Sequence, residues 1–278
     1  MILVTGGSGF IGSNLMKELG QRGLNWDVKV GLDIFSNEIV TAVRDCEAIV
    51  HLAALASTEK SKENPEATYK LNVQGTLRML LLAELFKKKI IFTSSAAVYK
   101  DTGVSSYRET DELEGKSPYG TSKIEAEYLC AGFRNRIPIV VLRLFNVYGQ
   151  GQNPEYAGVI TSFLDQMKDG FLTIYGDGNQ TRDFIHVTDV CRVIIDAVEN
   201  DEWNGQIVNI GTGRATSINE LATLFKNSTK SIMRVDHHNT RDEIKYSCAD
   251  TRIMKQLFKR DLYTNLKENI KKLVKEYK

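Results

Sequence analysis

The first twelve residues constrain the fold more than any other stretch. Met1-Ile-Leu-Val-Thr5 is a short apolar run, and it passes without a linker into Gly6-Gly7-Ser8-Gly9-Phe10-Ile11-Gly12, where helical spacing begins. A strand that turns at once into a helix through three spaced glycines reads as the opening of a βαβ unit. Gly6 permits a tight turn, Gly9 lets a pyrophosphate approach the backbone, and Gly12 allows the helix to pack closely; the helix amino terminus then offers free N–H groups and a positive dipole end. A glycine triplet alone also fits a plain strand-to-helix turn, so the rest of the chain has to decide.

The rest of the first half keeps the same rhythm. Met1–Thr5, Val28–Leu32, Ala48–Leu52, Ile90–Thr93 and Ile139–Leu142 are candidate strands, separated by helical spacing at Ile11–Leu19, Glu38–Val43, Ala67–Phe86 and Ser122–Phe133. Alternation of this kind predicts an α/β fold, a Rossmann-type doubly wound parallel sheet with helices on both faces. Beyond Leu144, Gly149, Gly151, Gly158, Gly176, Gly178, Gly211 and Gly213 break shorter segments. The expected division is a dinucleotide-binding domain from residues 1–145 plus 184–211, and a smaller ligand-binding lobe from 146–183 plus 212–278. The stretch Ala67–Phe86 carries leucines at 71, 77, 80, 81, 82 and 85. They lie on more than one helix face, which points to burial against a partner subunit as well as in the core.

Composition narrows the function. A formal charge of +1, from 36 basic and 35 acidic residues, is no footprint for nucleic acid or an anionic membrane. Cys46, Cys130, Cys191 and Cys248 are too scattered for a redox pair or a zinc cluster and read as reduced, buried thiols. The four histidines make no ligand spacing with acids or cysteines, so no metal is expected; His51 reads as a packed core residue. With no signal-peptide start and no membrane-length apolar run, a cytoplasmic protein is expected.

Chemistry enters at Tyr119 and Lys123. Four apart on a helix, they share one face, and an ammonium ion beside a phenol stabilises the phenolate, drawing its pKa down from about 10 toward the working pH of a general base. Most Tyr-x-x-x-Lys pairs are merely exposed helix neighbours. Here the pair follows a glycine turn and a strand that ends in Ser94-Ser95.

In order along the chain, the glycine turn, His51-Leu52-Ala53-Ala54, Asn72, Thr93-Ser-Ser-Ala-Ala-Val-Tyr99, Tyr119-Gly-Thr-Ser-Lys123, Arg143-Leu-Phe-Asn146-Val-Tyr-Gly149, Tyr175 through His186 and Asn209-Ile-Gly-Thr-Gly213 resemble the extended short-chain dehydrogenase/reductases. The likeness is to their NAD-dependent epimerase/dehydratase branch, and it spans nearly the whole chain. It implies an NAD cofactor, with NADP not excluded, held by Gly6, Gly9, Phe10, Ile11, Gly12, Leu52, Ala53, Ala54, Asn72, Tyr119 and Lys123. It makes Ser95, Tyr119 and Lys123 the catalytic residues, Ser95 bonding the same substrate oxygen as Tyr119.

The resemblance also implies a UDP-linked sugar nucleotide as substrate, contacted by Ser95, Asn146, Val159, Tyr175, Arg182 and Arg241, with Asn146 and Arg182 on the diphosphate. Arg241 stands one step from the position of the family's second phosphate arginine, which Thr240 takes. Ser247 falls where a bulky residue restricts some hexose epimerases, so a small side chain there leaves room for an N-acetyl group. A homodimer is implied through the Ala67–Phe86 helix and the helix bearing Lys123.

Only 39 positions run from Gly12 to His51, which is short for the family and implies that one βα unit is missing. Asp33 then has two functional readings beside that of a solvated loop aspartate. Either it ends the second strand and binds the adenosine ribose diol, or Gly31-Leu-Asp33-Ile matches a later family strand whose aspartate meets adenine.

Sugar-nucleotide 4,6-dehydratases carry an Asp-Glu pair after the serine, because eliminating water needs a further acid and base. Here the residues are Ala96 and Ala97. The expected activity is therefore that of a UDP-hexose or UDP-N-acetylhexosamine 4-epimerase, with an NAD(P)-dependent 4-ketoreductase or dehydrogenase as the alternative. A dehydratase, or a protein that binds NAD(P) without catalysis, ranks lower.

Overall fold

The computed structural model describes residues 1–103, 105–152, 158–229, 233–240 and 244–277. Its strands in chain order are β1 (Ile2–Thr5), β2 (Gly23–Trp26), β3 (Ala48–His51), β4 (Lys89–Ser95), β5 (Ile139–Leu144), β6 (Asn146–Tyr148), β7 (Phe171–Tyr175), β8 (Thr181–His186), β9 (Ile207–Ile210), β10 (Ala215–Ser217), β11 (Arg234–His238) and β12 (Tyr246–Ser247). The helices are α1 (Phe10–Leu19), α2 (Ile39–Asp45), α3 (Thr58–Glu63), α4 (Pro65–Tyr69), α5 (Gly75–Leu85), α6 (Pro118–Phe133), α7 (Val159–Gln166), α8 (Val187–Glu199), α9 (Ile218–Ser228), α10 (Arg252–Leu257) and α11 (Leu266–Glu276).

Six parallel strands form the main sheet in the order β2-β1-β3-β4-β5-β9. Four residues of β1, Ile2–Thr5, are fully enclosed, as strands covered on both faces must be. On one face, Val4, Val50 and Val140 pack with Leu15 of α1, Val190 and Ile194 of α8 and Met254 of α10. On the other, Leu3, Ile49 and Ile90 pack with Ile39 of α2, Met79 and Leu80 of α5 and Ala126 of α6. A third cluster, with Phe163, Leu172, Phe225 and Ile270 among its members, makes the core of the C-terminal lobe. Its strands form two small sheets, β10-β8-β12 with β6 also on β8, and β11-β7.

The second strand lies earlier than the alternation predicts. Val28–Val30 is a 3-10 turn, N-capped by the Asp27 side chain and ended by Gly31 at φ 80°; Val28 and Val30 are exposed. The strand is Gly23–Trp26, paired with β1 from Ile2↔Gly23 to Thr5↔Trp26. Two valines flanking a lysine imitate a strand, but burial belongs to Trp26, and the Asp27 cap and left-handed glycine favour a turn. Only β2 lies outside β1 on that edge of the sheet, and one strand and one α-helix fill the interval from α1 to β3. This is the shortened arrangement the Gly12–His51 spacing predicts. A groove of about 480 Å³, lined by Leu24, Trp26, Ala42 and Cys46 among others, runs between β2 and α2.

The leucine-rich helix spans α4 and α5, joined through a π-helical turn at Lys70–Gln74. Leu80 is buried, whereas Leu81 and Leu85 point to solvent. All four cysteines are free and buried. No group of metal-ligating side chains occurs among the described residues, and no helix among them is long and apolar enough to cross a membrane.

His51 closes β3 as a fully buried ring. Its Nδ1 lies 2.7 Å from Thr5 Oγ1 and its Nε2 3.1 Å from Thr76 Oγ1, so it links β1, β3 and α5. Burial, reinforced by the Lys123 charge, lowers its pKa to about 3. The unfolded chain takes up this proton near its ordinary 6.5, so the contribution is intact above that pH and is lost as pH falls from about 6.5 toward 3. At pH 5 this site should cost about 2 kcal/mol relative to pH 7.5. Urea unfolding at the two pH values should show that loss, and His51→Gln should remove that part of the pH dependence.

Candidate active site

Close contact shapes the turn after β1. A Cβ on Gly12 would stand 2.1 Å from the Gly6 carbonyl oxygen and 2.7 Å from Gly7 Cα, so only glycine lets α1 sit here. The Gly6 N–H donates to Trp26 O at 2.8 Å, and the Gly9 N–H to Gly6 O at 3.0 Å. Gly9 caps α1 without a side-chain acceptor, and no acidic residue occupies the first turn. The first-turn N–H groups, those of Phe10 and Ile11 included, are thus left for an anion. Leu52, Ala53 and Ala54 leave β3 alongside: Leu52 N–H donates to Thr5 O at 3.0 Å and Ala53 N–H to Thr5 Oγ1 at 3.4 Å. Backbone donors without intruding side chains suit the pyrophosphate of a nicotinamide dinucleotide, and the residues present fit that group.

Asp27 is the acidic residue that follows the second strand. Its Oδ2 accepts from Ser8 N–H of the glycine turn at 3.1 Å, and its Oδ1 from Lys29 N–H at 2.9 Å. The expectation that Asp33 ends this strand is thereby corrected. Asp33 is also not borne by a later strand, because Gly31–Ile34 forms none; it is an exposed loop residue whose carboxylate accepts from Phe35 N–H at 2.9 Å. The apparent strand at Val28–Leu32 hides Asp27 from a sequence reading.

Asn72 is likewise placed differently from its cofactor assignment. The amide, 1% exposed, accepts from Leu55 N–H at 2.8 Å and donates to Leu55 O and Ser122 Oγ. It joins the loop after β3 to α6, so its effect on a cofactor passes through that loop.

Ser95, Tyr119 and Lys123 converge at the carboxyl end of β4. Ser117 caps α6 by accepting from Gly120 N–H at 3.1 Å, and Pro118 opens the helix. A Cβ on Gly120 would lie 2.7 Å from Ala97 O, so the first turn of α6 presses on the turn that follows Ser95. Ser95 Oγ accepts from Ala97 N–H at 3.2 Å and hydrogen-bonds the Tyr119 side chain. One helical turn on, the Lys123 ammonium donates to Thr93 O at 2.8 Å and lies 4.9 Å from the Phe92 ring centroid.

The electrostatics depart from the expectation of a phenol acidified by its neighbouring ammonium. Burial raises the Tyr119 pKa above its ordinary value, and the Ser95 hydrogen bond only partly offsets it. Burial also lowers Lys123 to about 8. Desolvation is the leading cause at both groups, and it drives each toward its neutral form.

On the lobe side, β8 brings two of the substrate candidates together, Asn146 and Arg182. Asn146 on β6 pairs in register with Phe184 and donates to Asp183 O at 3.3 Å. Arg182 is the register partner of the buried Ser247 and donates to Thr181 O at 2.8 Å. Tyr107, which no motif signals, stacks on Tyr99 with centroids 4.9 Å apart and is close enough to feel the Arg182 charge. It therefore connects the loop after β4 to the phosphate candidates. Tyr175 ends β7 with its ring 5.8 Å from that of His238, and Val159 opens α7 at the margin of the lobe core. Arg241 lies outside the described residues.

The model of the NAD dependent epimerase/dehydratase family matches residues 2–211. A Methanocaldococcus jannaschii protein named "Putative UDP-glucose 4-epimerase" is 38% identical over 258 residues, covering 81% of each chain. A UDP-N-acetyl-alpha-D-glucosaminuronate decarboxylase from Bacillus cytotoxicus is 32% identical over 264 residues, covering 84% of this chain and 82% of its own. The solved UDP-N-acetylglucosamine 4-epimerase of Methanobrevibacter ruminantium, in complex with UDP-N-acetylmuramic acid, superposes with a TM-score of 0.92 at 28% identity, covering 99% of this chain and 96% of that one. A glycine turn without side-chain obstruction, a serine–tyrosine–lysine cluster at the end of β4 and a family match over most of the chain agree: this protein belongs to the NAD-dependent epimerase/dehydratase family.

Proposed function

We propose that the protein is a UDP-sugar 4-epimerase, acting on a UDP-hexose or UDP-N-acetylhexosamine. The observation that carries this reading is the Ser95–Tyr119 hydroxyl pair with Lys123 one turn away, followed by Ala96 and Ala97 where an eliminating enzyme needs an acid and a base. Bound NAD supplies reversible acceptance of a hydride from the sugar carbon. Tyr119 takes the hydroxyl proton at that carbon and returns it, while Ser95 holds the same oxygen. Asn146 and Arg182 grip the diphosphate, leaving the sugar free to present its other face. The small Ser247 beside Arg182 supports an N-acetylated sugar, since pocket volume is a steric filter.

A second reading follows from the decarboxylase among the relatives. Oxidising C4 of a uronic acid makes a β-keto acid, which loses CO₂ readily, so the same Tyr119 chemistry gives a decarboxylase if the pocket accepts a carboxylate. Incubation with UDP-glucose, UDP-galactose, their N-acetylated forms and UDP-glucuronate, followed by NMR of the sugar, separates these outcomes. Interconversion of 4-epimers without net NADH is expected, and a pentose product with CO₂ would replace the epimerase reading. Net stoichiometric NADH would favour a dehydrogenase. Tyr119→Phe should lower kcat roughly 10²- to 10⁴-fold with the fold unchanged.

NAD is favoured over NADP because a 2′-phosphate would approach the Asp27 carboxylate. Asp27→Asn should narrow the ratio of NADP to NAD dissociation constants by roughly tenfold or more, as read by calorimetry; an unchanged ratio would remove Asp27 from cofactor selection.

A homodimer through α5 and α6 accounts for outward-facing Leu81, Leu85 and Tyr128, which are 51%, 67% and 71% exposed. Sedimentation at micromolar concentration should give twice the chain mass, reverting to monomer in Leu85→Glu; monomer alone in the wild type would refute the assembly.

A further inference from the structure

Beneath the hydroxyl pair lies a buried ion pair that the chemistry above does not use. Glu127 and Arg143 have side chains 5% and 3% exposed. Arg143 Nη2 donates to Glu127 Oε2 at 2.7 Å, and Arg143 Nε donates to Oε1 at 3.0 Å and Oε2 at 3.2 Å. Ser94 Oγ donates to Glu127 Oε1 at 2.5 Å. The Arg143 Nη1 goes to Tyr99 Oη at 3.0 Å and Glu109 O at 2.9 Å. Buried pairs of this kind add little stability over apolar side chains of the same volume, so their placement is the informative property.

That placement is one helical turn beyond Lys123 and one residue before Ser95. Two successive residues of β4, Thr93 and Ser94, are fastened to α6 through Lys123 and Glu127 respectively. The same helix carries Tyr119 in its first turn, so these two links set the position of the Ser95 hydroxyl against the Tyr119 hydroxyl. Residues four apart on a helix meet, and a Glu127 carboxylate with an open oxygen would draw in the Lys123 ammonium. Arg143 engages both oxygens, which leaves Lys123 to Thr93 O and the reacting side of the cluster.

We propose that Glu127, clamped by Arg143, is a positioning residue for the reaction: it fixes Ser95 opposite Tyr119 through Ser94 and keeps Lys123 turned toward the reacting groups. The proposal rests on the reading of Ser95, Tyr119 and Lys123 as the catalytic cluster. The titratable and charged groups around Lys123 are Tyr119, Glu127 and Cys130 on its own helix, Arg143 on β5 behind Glu127, and His51 on β3, which is neutral at working pH. Cys130 is a thiol pushed up to about 12 and is also neutral there. Glu127 is therefore the charge set against Lys123, with Arg143 holding it from behind.

The test is lysine ¹³Cε NMR on the cofactor-free protein, with Lys123→Met assigning the signal and a wild-type midpoint of about 8 expected. Glu127→Gln removes the negative charge beside Lys123, leaves Arg143 uncompensated behind it, and should lower that midpoint by about one pH unit or more; Arg143→Met leaves Glu127 unpaired and should raise it by a similar amount. The double variant removes both charges and should return the midpoint close to wild type, which a shared scaffold role would not produce. In turnover, Glu127→Gln should reduce kcat roughly tenfold or more with little change in KM, and its pH profile should move with the NMR midpoint.

If Arg143→Met does not fold, Glu127→Gln and the double variant decide. A midpoint unchanged in Glu127→Gln, or kcat falling only with the folded fraction, overturns the proposal. Wild-type inertness toward every sugar nucleotide, with the midpoints moving as expected, would instead overturn the functional reading while the positioning of Lys123 stands.

Discussion

Everything at the active edge of the sheet depends on how closely α1 approaches the turn that precedes it. With Gly12 seated against the Gly6 carbonyl and no side chain between them, the start of α1 is held at the carboxyl end of β1, the edge where parallel α/β sheets bind ligands. The loop leaving β3 is drawn to the same place by Thr5, whose carbonyl and hydroxyl accept from Leu52 and Ala53. Thr5 also meets His51, so the turn, the β3 exit and α5 are adjusted together. A side chain at position 12 would displace the helix amino terminus and the strand exit at once.

The missing βα unit changes the adenosine side without disturbing this arrangement. In a longer fold, a further strand would flank β2; here β2 is the edge, and its outer side opens on the groove beside α2. What survives is an acidic residue at the end of the second strand, the Asp27 carboxylate bonded to the Ser8 N–H. Because that bond ties the end of β2 to the glycine turn directly, the edge keeps its acidic residue in place without support from a neighbouring strand.

Sequence legibility follows the range of the interactions. The glycine turn, the βα alternation and the Tyr119–Lys123 spacing are local, set by turn geometry and by helix period, and they can be read from a few residues. Asp27 could not be read this way, because Val28-Lys-Val30 alternates like a strand while the burial that selects the strand lies at Trp26. Asn72 reads as a cofactor contact until Leu55 and Ser122 occupy its amide. Tyr107, Glu127 and Arg143 become meaningful only when β4, β5 and α6 are packed together, since their partners are contributed by other elements. The sign of the Tyr119 shift was hidden for the same reason: helical spacing reports that a lysine is near, whereas enclosure decides what that proximity is worth.

That enclosure gives the resting cluster a definite character. Burial raises Tyr119 and lowers Lys123 to about 8, so the phenol keeps its proton and the ammonium is close to losing one. The protein groups around Tyr119 therefore do not by themselves hold a phenolate ready. A cation introduced beside the phenol favours its ionised form, and the Ser95 hydrogen bond favours it further. Since an oxidised nicotinamide ring is such a cation, NAD held beside Tyr119 would lower its pKa and make the phenolate available to act as a base. The availability of the base would thus be coupled to the redox state in which a hydride can be accepted, and this requires a pocket dry enough that one charge governs the next.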